Sequence, residues 1–68
     1  MAEREKGIVK WFNRTKGYGF ITGDNGREIL VHKNAIRGPL LVKDGDRVEF
    51  TVIDGPKGTQ ADDVIVLY

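Results

Sequence analysis

Apolar and polar residues alternate at a period of two along this chain, in short runs broken by Gly, Asn and Asp, and the 3.6-residue period of an amphipathic helix is missing throughout. The alternation predicts a first strand over about Lys6 to Asn13, which Arg14-Thr15-Lys16-Gly17 turns into a second over Tyr18 to Thr22. Gly23-Asp24-Asn25-Gly26 reads as a hairpin, because Asn-Gly readily supplies the positive dihedrals of a tight turn. A third strand is expected over Glu28 to His32. Lys33 to Pro39 is too short for a helix and ends in Gly38-Pro39, which predicts one tight helical turn and then a loop. After a turn at Asp44-Gly45, Arg47 to Ile53 alternates with Val48, Phe50 and Val52 on one side. Asp54 to Gly58 reverses the chain into a last strand over about Gln60 to Leu67. Five short antiparallel strands without a long helix favour an all-β closed barrel, since a flat sheet of this size would leave apolar faces and edges uncovered.

Parity within the strands sorts core from surface. Ile21, Ile29, Val31, Val48, Phe50 and Val64 are expected to fill the barrel, which leaves Tyr18, Phe20, Leu30 and His32 together on the outside. Gly17 and Gly19 flank Tyr18. They would leave a ring or the strand backbone open to a ligand, or permit a bend in the barrel, or both. The first strand breaks the pattern: Val9 and Trp11 share parity and Phe12 follows at once, so either Trp11 is a core residue or a bulge re-aims it outward.

At 68 residues there is room for one domain, near the lower limit at which a single apolar core suffices. There are no cysteines to supply disulfides or a thiolate metal site. The charged opening Met-Ala-Glu-Arg-Glu-Lys has no apolar run behind it long enough for a signal peptide or a membrane span, so a cytoplasmic protein with no membrane partner is expected. The net charge of +1 hides an uneven distribution: residues 1–38 carry eight Lys or Arg against four acids, and residues 39–68 carry three against six. Unless this is chance partitioning of a solvated surface, the basic side comes from the first half.

That half also holds four of the six aromatic side chains, Trp11, Phe12, Tyr18 and Phe20, interleaved with Lys10, Arg14, Lys16 and glycines. Rings among cations suit a flat, charged ligand: aromatic faces stack bases while Lys and Arg meet phosphates, as in single-stranded nucleic-acid binding. Enzymatic activity is not expected, because no Ser or Cys nucleophile is present and His32 has no second histidine for a metal site. Gly17-Tyr-Gly19-Phe-Ile-Thr-Gly23 is a poor dinucleotide loop, with its third glycine one residue late and a turn where a helix is required. The competing reading is a protein-interaction barrel with the aromatic cluster as hot spot. Salt separates the two: loss of a phosphate contact at Lys10 or Lys16 should flatten the salt dependence of nucleic-acid affinity by about 0.7.

The blocks Gly7-x-Val9-Lys10-Trp11-Phe12-Asn13 and Lys16-Gly17-Tyr18-Gly19-Phe20-Ile21, with Val31-His32, Ala35-Ile36 and Gly58-x-Gln60-Ala61, resemble bacterial-type cold-shock domain proteins over nearly the whole chain. The resemblance implies a single cold-shock domain over residues 1–68, with its core at about 6–67, folded as a five-stranded antiparallel OB-fold (Greek-key) barrel. No cofactor is expected. The resemblance also implies a monomer that binds single-stranded RNA and DNA, pyrimidine-rich by preference, in RNA chaperoning, antitermination or the cold response. By position, Trp11, Phe12, Tyr18, Phe20 and His32 would form the stacking surface, with Trp11 exposed. Lys10, Asn13 and Lys16 would contact phosphates or base edges, and Lys57 and Gln60 would line the rim. The chain departs from the family at its second motif, usually Val-Phe-Val-His-Phe, here Ile29-Leu30-Val31-His32-Lys33. The following loop is shorter and has Leu40 and Leu41 near where a Phe is customary. Each base–aromatic stack is worth about 1–3 kcal/mol, so weaker and more salt-dependent binding is expected, with Leu30 offering an apolar contact and Lys33 a phosphate contact, unless both changes are neutral on a site still dominated by Trp11, Tyr18, Phe20 and His32.

Overall fold

The computed structural model describes residues 4–38, 41–56 and 58–67. Its strands are β1 (Arg4–Asn13), β2 (Tyr18–Gly23), β3 (Glu28–His32), β4 (Arg47–Gly55) and β5 (Gly58–Val66), with one 3₁₀ turn at Lys33–Ala35 after β3. They close into a barrel in the order β1-β2-β3-β5-β4. A ring of five strands cannot alternate direction all the way round. Four of the ladders are therefore antiparallel and the closing one is parallel, pairing Leu30 with Gln60 and Val31 with Ala61. This parallel closure is the one departure from the expected antiparallel pairing.

The predicted core residues Ile21, Ile29, Val31, Val48, Phe50 and Val64 are all fully buried, joined by Val9, Val42 and Ala61. β2, β3 and β4 present theirs inward by simple alternation, β5 presents Ala61 and Val64 three residues apart across a slip in its register, Val42 comes from the segment before β4, and Phe50 is the largest side chain of the set. Val52, expected beside Val48 and Phe50, is half-buried and packs on the edge of that core.

β1 serves both sides of the barrel: residues Arg4 to Ile8 pair with β4, and Gly7 to Asn13 pair with β2. Past Ile8 the turn before β4 replaces β4 itself, with Val9 N–H donating to Asp46 O at 2.9 Å and Gly45 N–H donating to Val9 O at 2.8 Å. β1 begins two residues before its predicted start because Arg4 is tied across the sheet. Its guanidinium donates to Thr51 Oγ1 at 3.1 Å, to Asp63 O at 2.9 Å and to Asp63 Oδ2 at 3.0 Å. Asp63 sits where β5 slips register against β4, at a φ of 52°. The hairpin between β2 and β3 is clamped to β4 by Arg47, which donates to both carboxylate oxygens of Asp24 at 2.7 and 2.8 Å. These hydrogen bonds hold the Asp24 carboxyl below the usual carboxylate range and raise Arg47 above the ordinary guanidinium value.

Candidate functional site

A β-bulge decides which way Trp11 points. Val9 faces Ile21 in the register of β1 with β2, yet the next matched pair is Trp11 with Phe20, so Lys10 is the extra residue. Without that insertion Lys10 would oppose Phe20 and Trp11 would oppose the inward-facing Gly19. The extra residue moves Trp11 to the outer face, and the parity that aligned it with Val9 is cancelled. Phe12, opposite Gly19, turns instead to the barrel side and packs half-buried against the core.

Gly19 allows β1 to come this close. A Cβ there would stand 2.2 Å from Trp11 O and 2.7 Å from the Phe12 Cα. Gly17 has a φ of 78° and is covered by the aliphatic stem of Lys33, whose Cδ would lie 3.0 Å from a Cβ at that position. The two glycines therefore serve the bend and the turn, and Gly17 does not leave the face bare.

Outside the barrel the rings meet in a row. Trp11 and Phe20 have centroids 5.4 Å apart at 59°, Trp11 and Tyr18 are 5.6 Å apart at 69°, and Tyr18 and His32 are 6.5 Å apart at 42°. Tilted and edge-on contacts of this kind hold each ring by its neighbour's edge, so part of each ring remains available. Trp11, Tyr18 and Phe20 are half-buried and His32 is exposed, and among the described residues no polar or charged side chain is buried in the barrel. Leu30 lies opposite Phe20, and His32 opposite Tyr18. A depression of about 560 Å³ runs beside the row, lined by Tyr18, Phe20, Glu28, Leu30, His32 and Thr59.

The polar residues named from the sequence divide into separate groups. Asn13 closes the first turn: its Oδ1 accepts from Lys16 N–H at 2.9 Å and its carbonyl accepts from Gly17 N–H at 2.7 Å. Lys16 and Lys33 are exposed at that end of the face, where Lys33 N–H donates to Gly17 O at 2.9 Å. Lys10 reaches instead to Glu28 on β3 and forms an ion pair with it. Gln60 is the register partner of Leu30, but a Cβ on Gly55 would fall 2.5 Å from its side-chain Cδ, so the amide lies over the β4–β5 hairpin. Thr59 lines the depression in its place. Lys57 lies outside the described residues.

Glu28 and Thr59 were not among the residues read from the sequence. Glu28 carries a signal there, since it shares the outer parity of Leu30 and His32. Thr59 has none, because only the parallel closure of β5 on β3 brings it beside the aromatic row. Among the described residues no group of His, Cys, Asp or Glu is arranged to hold a metal ion, and no helix is long and apolar enough to cross a membrane.

The family model for the 'Cold-shock' DNA-binding domain matches residues 5–67. The chain is 45% identical to the major cold shock protein CspA of Pseudomonas aeruginosa, over 98% of this chain and all of that one. It is 47% identical to the cold shock protein CspV of Vibrio cholerae, over 98% of this chain and all of that one. To the major cold shock protein of Micrococcus luteus it is 52% identical, over 90% of this chain and 96% of the other. Among solved structures, the Drosophila Unr CSD456 chain superimposes with a TM-score of 0.81 at 25% identity, covering 98% of this chain and 28% of that longer one.

Proposed function

The chain belongs to the cold-shock domain family, a family of nucleic-acid-binding proteins, and from that premise we propose that it binds unpaired RNA and DNA by stacking bases on Trp11, Phe20, Tyr18 and His32. The observation that carries this reading is the continuous ring row, with neighbouring centroids 5.4 to 6.5 Å apart, left partly open to solvent on a domain that has few apolar residues to spare. A base face laid on such a row replaces water on both partners, and every base has one, so the contact is strong but tolerant of sequence. Phosphate contacts from exposed cations are equally indifferent to sequence.

The mechanism follows from these limits. A duplex has its base faces already stacked and binds poorly. A shallow platform that takes any unpaired base releases it quickly, so the protein holds short single-stranded segments and opposes hairpins without ATP. That is the work of an RNA chaperone or antiterminator, done by a monomer in the cytoplasm, with pyrimidine-rich segments favoured. With Leu30 and Lys33 in place of two aromatic residues, binding is weaker and more salt-dependent than in a relative with the full set.

The test is titration of Trp11 fluorescence with a short pyrimidine-rich strand, as RNA and as DNA, against the matching duplex. Quenching by both single strands and little by the duplex is expected. A folded protein whose fluorescence no single strand changes would overturn the reading and turn attention to a protein partner for the same face.

A further inference from the structure

We propose that the phosphate backbone is anchored at one end of the aromatic face, by Arg14, Lys16 and Lys33 around the Gly17 turn, and that Lys10 at the other end makes no net phosphate contact because Glu28 holds it. The inference rests on the stacking function proposed above and adds a direction to it.

Charge is distributed unevenly along the face. Among the described residues, Arg4, Lys10, Arg37, Lys43 and Arg47 each pair with an acid. The described cations without such a partner are Lys6, Arg14, Lys16, Arg27 and Lys33, all exposed, and three of these five surround one turn. That turn is fixed in place. Asn13 accepts from both Lys16 and Gly17 N–H, Gly17 O accepts from Lys33 N–H, and the Lys33 stem lies across Gly17. The next residues inward are Tyr18 and its register partners Asn13 and His32. A nucleotide stacked on Tyr18 or His32 thus has its phosphate beside three cations. Asp44 lies past Phe12 and is engaged there, accepting from the Phe12 N–H at 3.2 Å.

Conditions at the far end differ: there the exposed Arg27 guanidinium donates to Thr59 Oγ1 at 3.4 Å, on the rim of the depression, and the cation that projects over the rings is held by an acid. Lys10 projects from the bulge across β2 to Glu28, with both side chains about half exposed, and Glu28 lines the depression beside Phe20 and Leu30. A phosphate that took Lys10 would displace this carboxylate and leave it unpaired next to the phosphate, a like-charge contact. Exchanging one anion for another on the same ammonium releases no net counterion, so Lys10 adds little to the salt dependence of binding. Stacking then operates at both ends of the row, while charge operates mainly at one.

The experiment is Trp11 quenching by a pyrimidine hexanucleotide across about 50 to 200 mM salt, with the full chain. Arg14→Gln, Lys16→Gln and Lys33→Met are each expected to flatten the log–log salt slope by about 0.7, shrinking the loss of affinity over that range by about 2.6-fold. Methionine at position 33 keeps the apolar cover of Gly17, so a slope change there reports charge and not folding. Lys10→Gln is expected to leave the slope unchanged, but to flatten it by about 0.7 in a Glu28→Gln background, where Lys10 is released. Equal flattening by Lys10→Gln and Arg14→Gln in the native background overturns the proposal, as do unchanged slopes for Arg14→Gln and Lys33→Met. If the unsubstituted protein quenches with single strands, either result leaves the stacking function standing; if it does not quench, both fall.

Discussion

Replacing Leu30 with phenylalanine should tighten binding of unpaired nucleic acid, a gain that damage to the fold cannot mimic. Leu30 is half-buried, directly opposite Phe20 in the β2–β3 register, and lines the open depression of about 560 Å³ with Tyr18 and His32. A ring at this position projects from the same Cβ into that space and adds a second ring on β3, beside Phe20 and two residues before His32. Stacking one base on a new ring is worth about 1–3 kcal/mol. Leucine already supplies part of this as apolar contact, so the net gain should be about 1–2 kcal/mol, or roughly 5- to 30-fold in Kd. No charge changes, so the salt slope should stay that of the unsubstituted protein. Fluorescence titration with a pyrimidine hexanucleotide at two salt concentrations reads both quantities, and a thermal melt confirms an intact barrel. A Kd within twofold of the parent at unchanged Tm would refute the reasoning, because it would mean that no base passes over β3 at this point.

Two further predictions concern what holds the platform. Arg4→Ala removes donors from Thr51 Oγ1 and from both the carbonyl and carboxylate of Asp63, and should cost about 1–2 kcal/mol, seen as a Tm lower by about 5–15 °C; a change under about 2 °C would show that the tie is not stabilising. The Asp24–Arg47 clamp should make stability acid-sensitive. Its hydrogen bonds lower the folded-state carboxyl, so the stabilisation is fully present above the ordinary Asp value near 4 and is lost as pH falls through the lower folded value. Asp24→Asn should therefore melt below the parent at pH 6 and converge with it near pH 2; an equal gap at both pH values would refute this.

The barrel itself was legible because its signal is local. In β2 and β3 the pleat sends successive side chains to opposite faces, so Ile21, Ile29 and Val31 fall inward and Tyr18, Phe20, Leu30 and His32 outward whatever the neighbouring strands do. β3 has the bounds the alternation predicts, and β2 runs one residue further, to Gly23. β4 extends past its predicted end because its ladder with β5 continues to the Gly55–Gly58 pair, a contact that the alternation of either strand alone does not report. The motif residues between Gly7 and Ile21 resemble the family by sequence alone, since rings, cations and glycines at those spacings are specific.

Other features depended on residues far apart in the chain. Trp11 shares parity with the buried Val9, and only the slip of β1 against β2 at Lys10 turns it outward. Thr59 reaches the depression because an odd number of strands must close with a parallel ladder. The partner of Lys10 is Glu28, two strands away, while Lys33 folds over Gly17 at the opposite end of the face. Alternation within a strand follows from backbone geometry and is carried by each short segment alone. The register between strands, and with it the pairing of charges across the face, is an energy balance over the whole closed barrel that no single segment contains.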